Sequence, residues 1–125
     1  MQPTIRTLAV LTVVGLTATA ASAQVVRQDV PGIRIFAKVE TTVACAGAIT
    51  PAAIVDIKKM GYASIINLRL ATEQGADIDA NIATAKVAGI PYYHIPFSGS
   101  APDPAVVDTF LKTITAPGVQ PAFIH

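Results

Sequence analysis

The chain has 125 residues, 52% of them hydrophobic, with 9 Lys and Arg against 8 Asp and Glu. That length suits one small domain rather than two, and the near-neutral balance leaves no basic stripe for a nucleic acid. Cys45 is the single cysteine, which excludes an internal disulfide, and no Cys/His cluster has the spacing of a zinc site, so neither metal nor cofactor is expected.

Arg6, the uncharged residues 8–20 and the small residues Ala21, Ser22 and Ala23 read as an export signal cleaved after Ala23. The apolar run is shorter than the ~20 residues of a spanning helix, which disfavours an uncleaved anchor. Residues 1–23 are expected to be removed, leaving a formally neutral protein, periplasmic or secreted, with no membrane attachment. Neither Asn67 nor Asn81 has Ser or Thr two positions on, so neither is a glycosylation acceptor. Residues 24–32 end in Pro31 and Gly32 and are expected to be a flexible tether, with the ordered domain covering 33–125.

Ile33, Ile35 and Ala37 alternate with Arg34, Phe36 and Lys38, the period-two pattern of a strand with one wet face, and 43–46 form a second short strand. Thr50 and Pro51 open a helix that runs to Met60, with Ile54 and Ile57 inside, Lys58 and Lys59 near its end and Gly61 closing it. Residues 63–68 are apolar almost throughout, as in a central parallel strand covered on both faces, and Arg69 follows at its carboxyl end. Ile78, Ile82 and Ala85 keep helical spacing up to Gly89, and 90–95 form another strand. A loop rich in Pro, Gly and Ser occupies 96–103. Asp103 and Pro104 then cap a helix whose stripe is Val107, Phe110, Leu111 and Ile114, and residues 121–125 begin one more strand. Strands alternating with helices predict an α/β fold around a parallel sheet, with its site at the carboxyl ends of the strands, where His125 stands.

Three stretches carry a family resemblance: residues 47–51; Gly61 and Tyr62 ahead of Ile65, Ile66, Asn67, Leu68 and Arg69; and Tyr92, Tyr93, His94, Ile95 and Pro96. Together they resemble the beta-lactamase hydrolase-like phosphatase-like domains, a branch of the dual-specificity and protein-tyrosine phosphatase superfamily, over residues 33–125. The resemblance implies a three-layer αβα arrangement of the Cys-phosphatase kind, here incomplete at its C-terminal side. In that superfamily a strand ends in His, followed by Cys, five residues and Arg, in a loop that wraps a phosphate ahead of a helix. Amides and a helix N-terminus favour the anion, the Arg grips two phosphate oxygens, and the thiolate they stabilise attacks phosphorus. Residues 122–125 match the strand and its His, while neither that Cys nor that Arg is among the 125 residues.

Cys45 does not replace the missing nucleophile: Pro51 stands where the Arg would be, no base adjoins it, and it is expected to be a small buried apolar residue. The resemblance also implies an acid on the loop before the last helix. Ser98 occupies the position where many relatives carry it, so Asp103 is the sole candidate general acid in the loop, in competition with its role as an N-cap. Arg69 is a candidate substrate-binding residue that could equally brace its loop through Glu73, and His94 is expected to be a hydrogen-bonded sheet histidine. The implied activity is hydrolysis of a phosphoester, on a small molecule or a phosphoprotein, through a cysteinyl-phosphate in the full-length parent. The chain itself, lacking the nucleophile, is expected to be inactive. A rhodanese-like sulfurtransferase on the same fold and a non-catalytic binding module are the alternatives.

Overall fold

The computed structural model describes residues 24–125, so the expected export signal lies outside the described residues. Six strands are present: β1 (Val25–Val30), β2 (Ile33–Val39), β3 (Val43–Cys45), β4 (Ser64–Asn67), β5 (Tyr92–His94) and β6 (Ala122–Ile124). The helices are α1 (Ala53–Lys59), α2 (Ile78–Ala88) and α3 (Pro104–Ile114). One mixed sheet runs in the order β1-β2-β3-β6-β4-β5. Its β3-β6-β4-β5 part is parallel, as expected for crossovers through helices, while β1-β2 and β2-β3 are antiparallel.

The expected tether is corrected by β1. Val25, Val26 and Val30 favour an extended chain, and Pro31 and Gly32 make the tight turn that folds it back onto β2, with Val30 opposite Ile33. Pro at the first central position and Gly at positive φ, here 78°, are what such a turn needs. A dipeptide that looks like the end of a linker is therefore the tip of a hairpin.

β2 departs from strict alternation. Its register against β1 shifts between Gln28 and Val30, and Ile35 takes φ 52°. This bulge turns Ile35 outward, 73% exposed, and brings Phe36 inward at 2%. Phe36 then stacks on Phe123 at 5.7 Å between ring centroids, with Tyr62 edge-on to both.

The central strands separate two apolar clusters, which makes the three layers. On one face Ile65 and Phe123 meet Ala53, Ile54 and Ile57 of α1 and Ala85 of α2. On the other, Ile66 and Ala122 meet Val106, Phe110 and Ile114 of α3. All four residues of β4 are buried, and its Ser64 donates to the Val119 carbonyl at 2.7 Å. α1 begins later than expected, because Thr50 and Pro51 form the preceding turn and no side chain caps the helix.

The expected stripe on α2 is also corrected. Asn81 and Ala85 are the residues it buries, while Ile82 is 43% exposed. On α3, Val106 replaces Val107 on the packed side, and Val107 and Leu111 face outward.

Candidate active site

The parallel strands end together. β4 closes on Asn67, β5 on His94, and His125 follows β6, with Asn67 paired to His94. The His125 main chain continues the sheet: its N–H donates to Ile66 O at 2.9 Å, and its carbonyl accepts from the Leu68 N–H at 2.6 Å. Side chains two apart on a strand share a face, so Asn67 and His125 project to the same side as Ile65 and Phe123, the side covered by α1 and α2.

A chain of polar contacts forms there among buried groups. The Asn67 amide donates to the Tyr92 hydroxyl at 2.7 Å, and that oxygen lies 3.4 Å from His125 Nε2. Tyr92 accepts from Asn67 and is left free to donate its own proton, and where it donates to Nε2 the ring proton of a neutral imidazole stands on Nδ1. The other end of Asn67 accepts from the Arg69 N–H at 2.8 Å. Burial, reinforced by the charges of Arg69 and His94, lowers the His125 pKa from 6.5 to about 4, so its imidazole is neutral at pH 7. Burial pushes the Tyr92 phenol above its usual value, partly offset by Asn67 and Asn81.

Among the described residues, three buried polar atoms around this cluster have no partner: His125 Nδ1, Asn81 Oδ1 and Arg69 Nε. Each such group costs about 1–3 kcal/mol if left unsatisfied.

Arg69 Nη2 donates to the Gln74 carbonyl at 3.0 Å and pairs with Glu73 Oε2 at 3.1 Å, while Glu73 Oε1 accepts from the Leu70 N–H. These contacts brace the loop after β4, one of the two roles expected of it. His94 Nε2 lies 2.9 Å from the Arg69 carbonyl, tying β5 to the same loop. A cleft of about 640 Å³ opens beside His94, lined also by Ala71, Asp77, Ile78, Asp79 and Ala80 at the start of α2.

Asp103 caps α3: its Oδ1 accepts from the Ala105 N–H at 2.9 Å, with Pro104 in the first turn. Cys45 is corrected from buried to exposed, at the end of β3. Crowding by its neighbours still pushes its thiol above the ordinary value, so the thiolate that a nucleophile needs is disfavoured.

Asn81, Asn67 and Tyr92 had no functional reading from the sequence. A signal was there: the chain has two asparagines, one inside an apolar strand and one on the inward side of a helix, and both are fully buried. Buried amides need partners, which makes them markers of a polar site.

The mixed α/β sheet between helical layers is a fold shared with solved phosphatase-like structures. A candidate phosphatase of the DUF442 group from Shewanella putrefaciens CN-32 is similar at TM-score 0.67 and 21% identity, over 75% of this chain and 59% of that one. A candidate phosphatase (nma1982) from Neisseria meningitidis Z2491 gives 0.57 and 20%, over 68% and 61%. The core catalytic domain of the PP-IP phosphatase SIW14 from S. cerevisiae, solved with citrate, gives 0.53 and 19%, over 66% and 49%. These neighbours belong to the dual-specificity and protein-tyrosine phosphatase-like superfamily, and their likeness defines the fold of the chain. The chain spans less than two thirds of the length of each. No protein-family model and no curated protein matches it.

Proposed function

We propose that this chain forms the N-terminal part of a phosphoester hydrolase domain, whose nucleophilic Cys and phosphate-binding Arg follow His125 in a longer polypeptide. One observation carries the reading: His125 is buried at the end of a central parallel strand, with Nε2 3.4 Å from the Tyr92 hydroxyl that Asn67 holds and with Nδ1, the proton-bearing nitrogen when Tyr92 donates to Nε2, unpartnered among the described residues. A donor held in that way suits the first residue of an anion-binding loop, where main-chain acceptors and a thiolate would arrive. Asn81 and Arg69 offer further unpaired polar atoms to the same loop. Arg69, which braces the loop after β4, is the candidate substrate-binding residue, and Asp103, whose Oδ1 caps α3, is the candidate carboxylate for proton delivery to the leaving oxygen. The substrate class is a phosphorylated small molecule or phosphoprotein. Export by cleavage after Ala23 completes the reading, supported by Arg6 and the apolar run behind it.

The coding sequence tests it directly: the reading requires Cys as the next residue and Arg six positions after that Cys. The longer protein is then assayed on an aryl phosphate, where Cys→Ser at that position must abolish turnover. Sulfur transfer from thiosulfate to cyanide in place of hydrolysis would overturn the phosphatase reading. On the 125-residue chain, turnover that survives Cys45→Ser would show that the chemistry lies elsewhere. Mass spectrometry of the exported protein must find Gln24 at the N-terminus.

A further inference from the structure

The two ends of the sheet are unlike. β5 has three residues and lies between Pro91 and Pro96, which withhold donors and keep that edge short. β1 has six residues, no proline, and exposed side chains along nearly its whole length. Its only strand partner among the described residues is β2.

The hydrogen-bond phase shows which of its main-chain groups are available. The Glu40 N–H donates to the Gln24 carbonyl at 3.2 Å, so Gln24, Val26 and Gln28 direct their main chains toward β2. Antiparallel pairs alternate, so the N–H and C=O groups of Val25, Arg27 and Asp29 point to the open side. Among the described residues, neither Arg27 nor Asp29 has an ion-pair partner.

We propose that this edge joins two copies of the chain, their β1 strands antiparallel about a twofold axis at Gln28. Charge selects both partner and register. With the axis at Gln28, Arg27 of each copy lies opposite Asp29 of the other, in the hydrogen-bonded type of pair, and exposed Val26 meets Val30. A one-residue shift toward the N-terminus sets Arg27 against Arg27, and the equal shift the other way sets Asp29 against Asp29. Like charges directly opposed are disfavoured and opposite charges favoured, so the sequence pairs with itself in one alignment. Two strands meeting at an edge make a small contact, so the association is reversible and concentration-dependent. The exposed ion pairs weaken with salt.

The test uses the chain as isolated, its N-terminus read by mass spectrometry, in sedimentation across micromolar to millimolar concentrations. Dimer formation is expected, with its dissociation constant raised at least tenfold by Arg27→Asp and returned to within about threefold by Arg27→Asp combined with Asp29→Arg. Amide exchange at Arg27 and Asp29 is expected to slow with concentration, while Gln28 stays protected throughout. Circular dichroism checks that the surface variants remain folded. A monomer at every concentration, a dimer indifferent to Arg27→Asp, or failure of the charge-swapped variant to recover would overturn the proposal. So would association that disappears with Leu111→Lys on α3 and persists with Arg27→Asp. None of these outcomes depends on phosphatase activity.

Discussion

The low pKa of His125 makes stability depend on pH with a definite sign. Its imidazole titrates near 4 in the folded chain and near 6.5 in the unfolded one. Between those values the unfolded state binds a proton that the folded state refuses, so stability is full above the unfolded pKa and is lost as the pH falls. From pH 7 to pH 5 the loss amounts to about 2 kcal/mol, levelling at about 3 kcal/mol once the folded ring also protonates. Urea unfolding of the wild type and of His125→Gln at both pH values isolates this contribution, because the other titrating groups are common to both proteins. The wild type should lose about 2 kcal/mol more than the variant on acidification. Should the variant destabilise the fold too far for comparison, the His125 ring resonances can be followed in the wild type by NMR. Equal pH slopes for the two proteins, or a ring that titrates near 6.5, would refute the burial argument.

Replacing Asn67 by Leu strands the Tyr92 hydroxyl and the Arg69 amide and should cost about 1–3 kcal/mol, read by denaturant unfolding. Asp103→Ala should cost about 0.5–2 kcal/mol by removing the cap of α3, whereas Asp103→Asn should stay within a few tenths. In the longer polypeptide proposed above, the Asn variant separates the two roles, since it keeps the cap and removes the candidate acid; unchanged turnover with Asp103→Asn would dismiss Asp103 as the proton donor. Phe123→Ala, which empties the centre of the aromatic trio, should cost about 3–5 kcal/mol. Gly32→Ala forces a side chain into positive φ at 78° with its Cβ 2.6 Å from Thr50 Oγ1, and a thermal melt should show a loss of about 1–2 kcal/mol or more.

Where one strong local signal agreed with the packing, the element was legible. β4 is apolar on both faces because it lies between two helical layers, and α3 begins at Asp103 and Pro104 because cap and ring restriction act within one turn. Where two local readings were open, the partner decided. Pro31 and Gly32 serve equally in a linker and in a hairpin, and only the pairing of Val30 with Ile33 distinguishes them. The alternation of β2 pointed Ile35 inward. A bulge against β1 reversed it, since one residue of slip exchanges the faces of a strand.

The candidate site divides in the same way. The positions of His125, Arg69 and Asp103 in the fold were legible because each follows a strand or opens a helix, and topology alone sends the carboxyl ends of parallel strands to one side. Asn67, Tyr92 and Asn81 were not, because their meaning lies in contacts between residues 25 and more positions apart for Asn67 with Tyr92 and Tyr92 with His125. By itself the sequence determined the order of strands and helices from β2 onward, the cap of α3 and the side of the sheet to which the parallel strands send their carboxyl ends, all consequences of short-range backbone preference and periodicity. The tertiary structure alone decided which amides are buried, that the His125 ring is desolvated and, among the described residues, that β1 has one strand partner. Desolvation and unsatisfied hydrogen bonds arise only when distant segments exclude water from the same space.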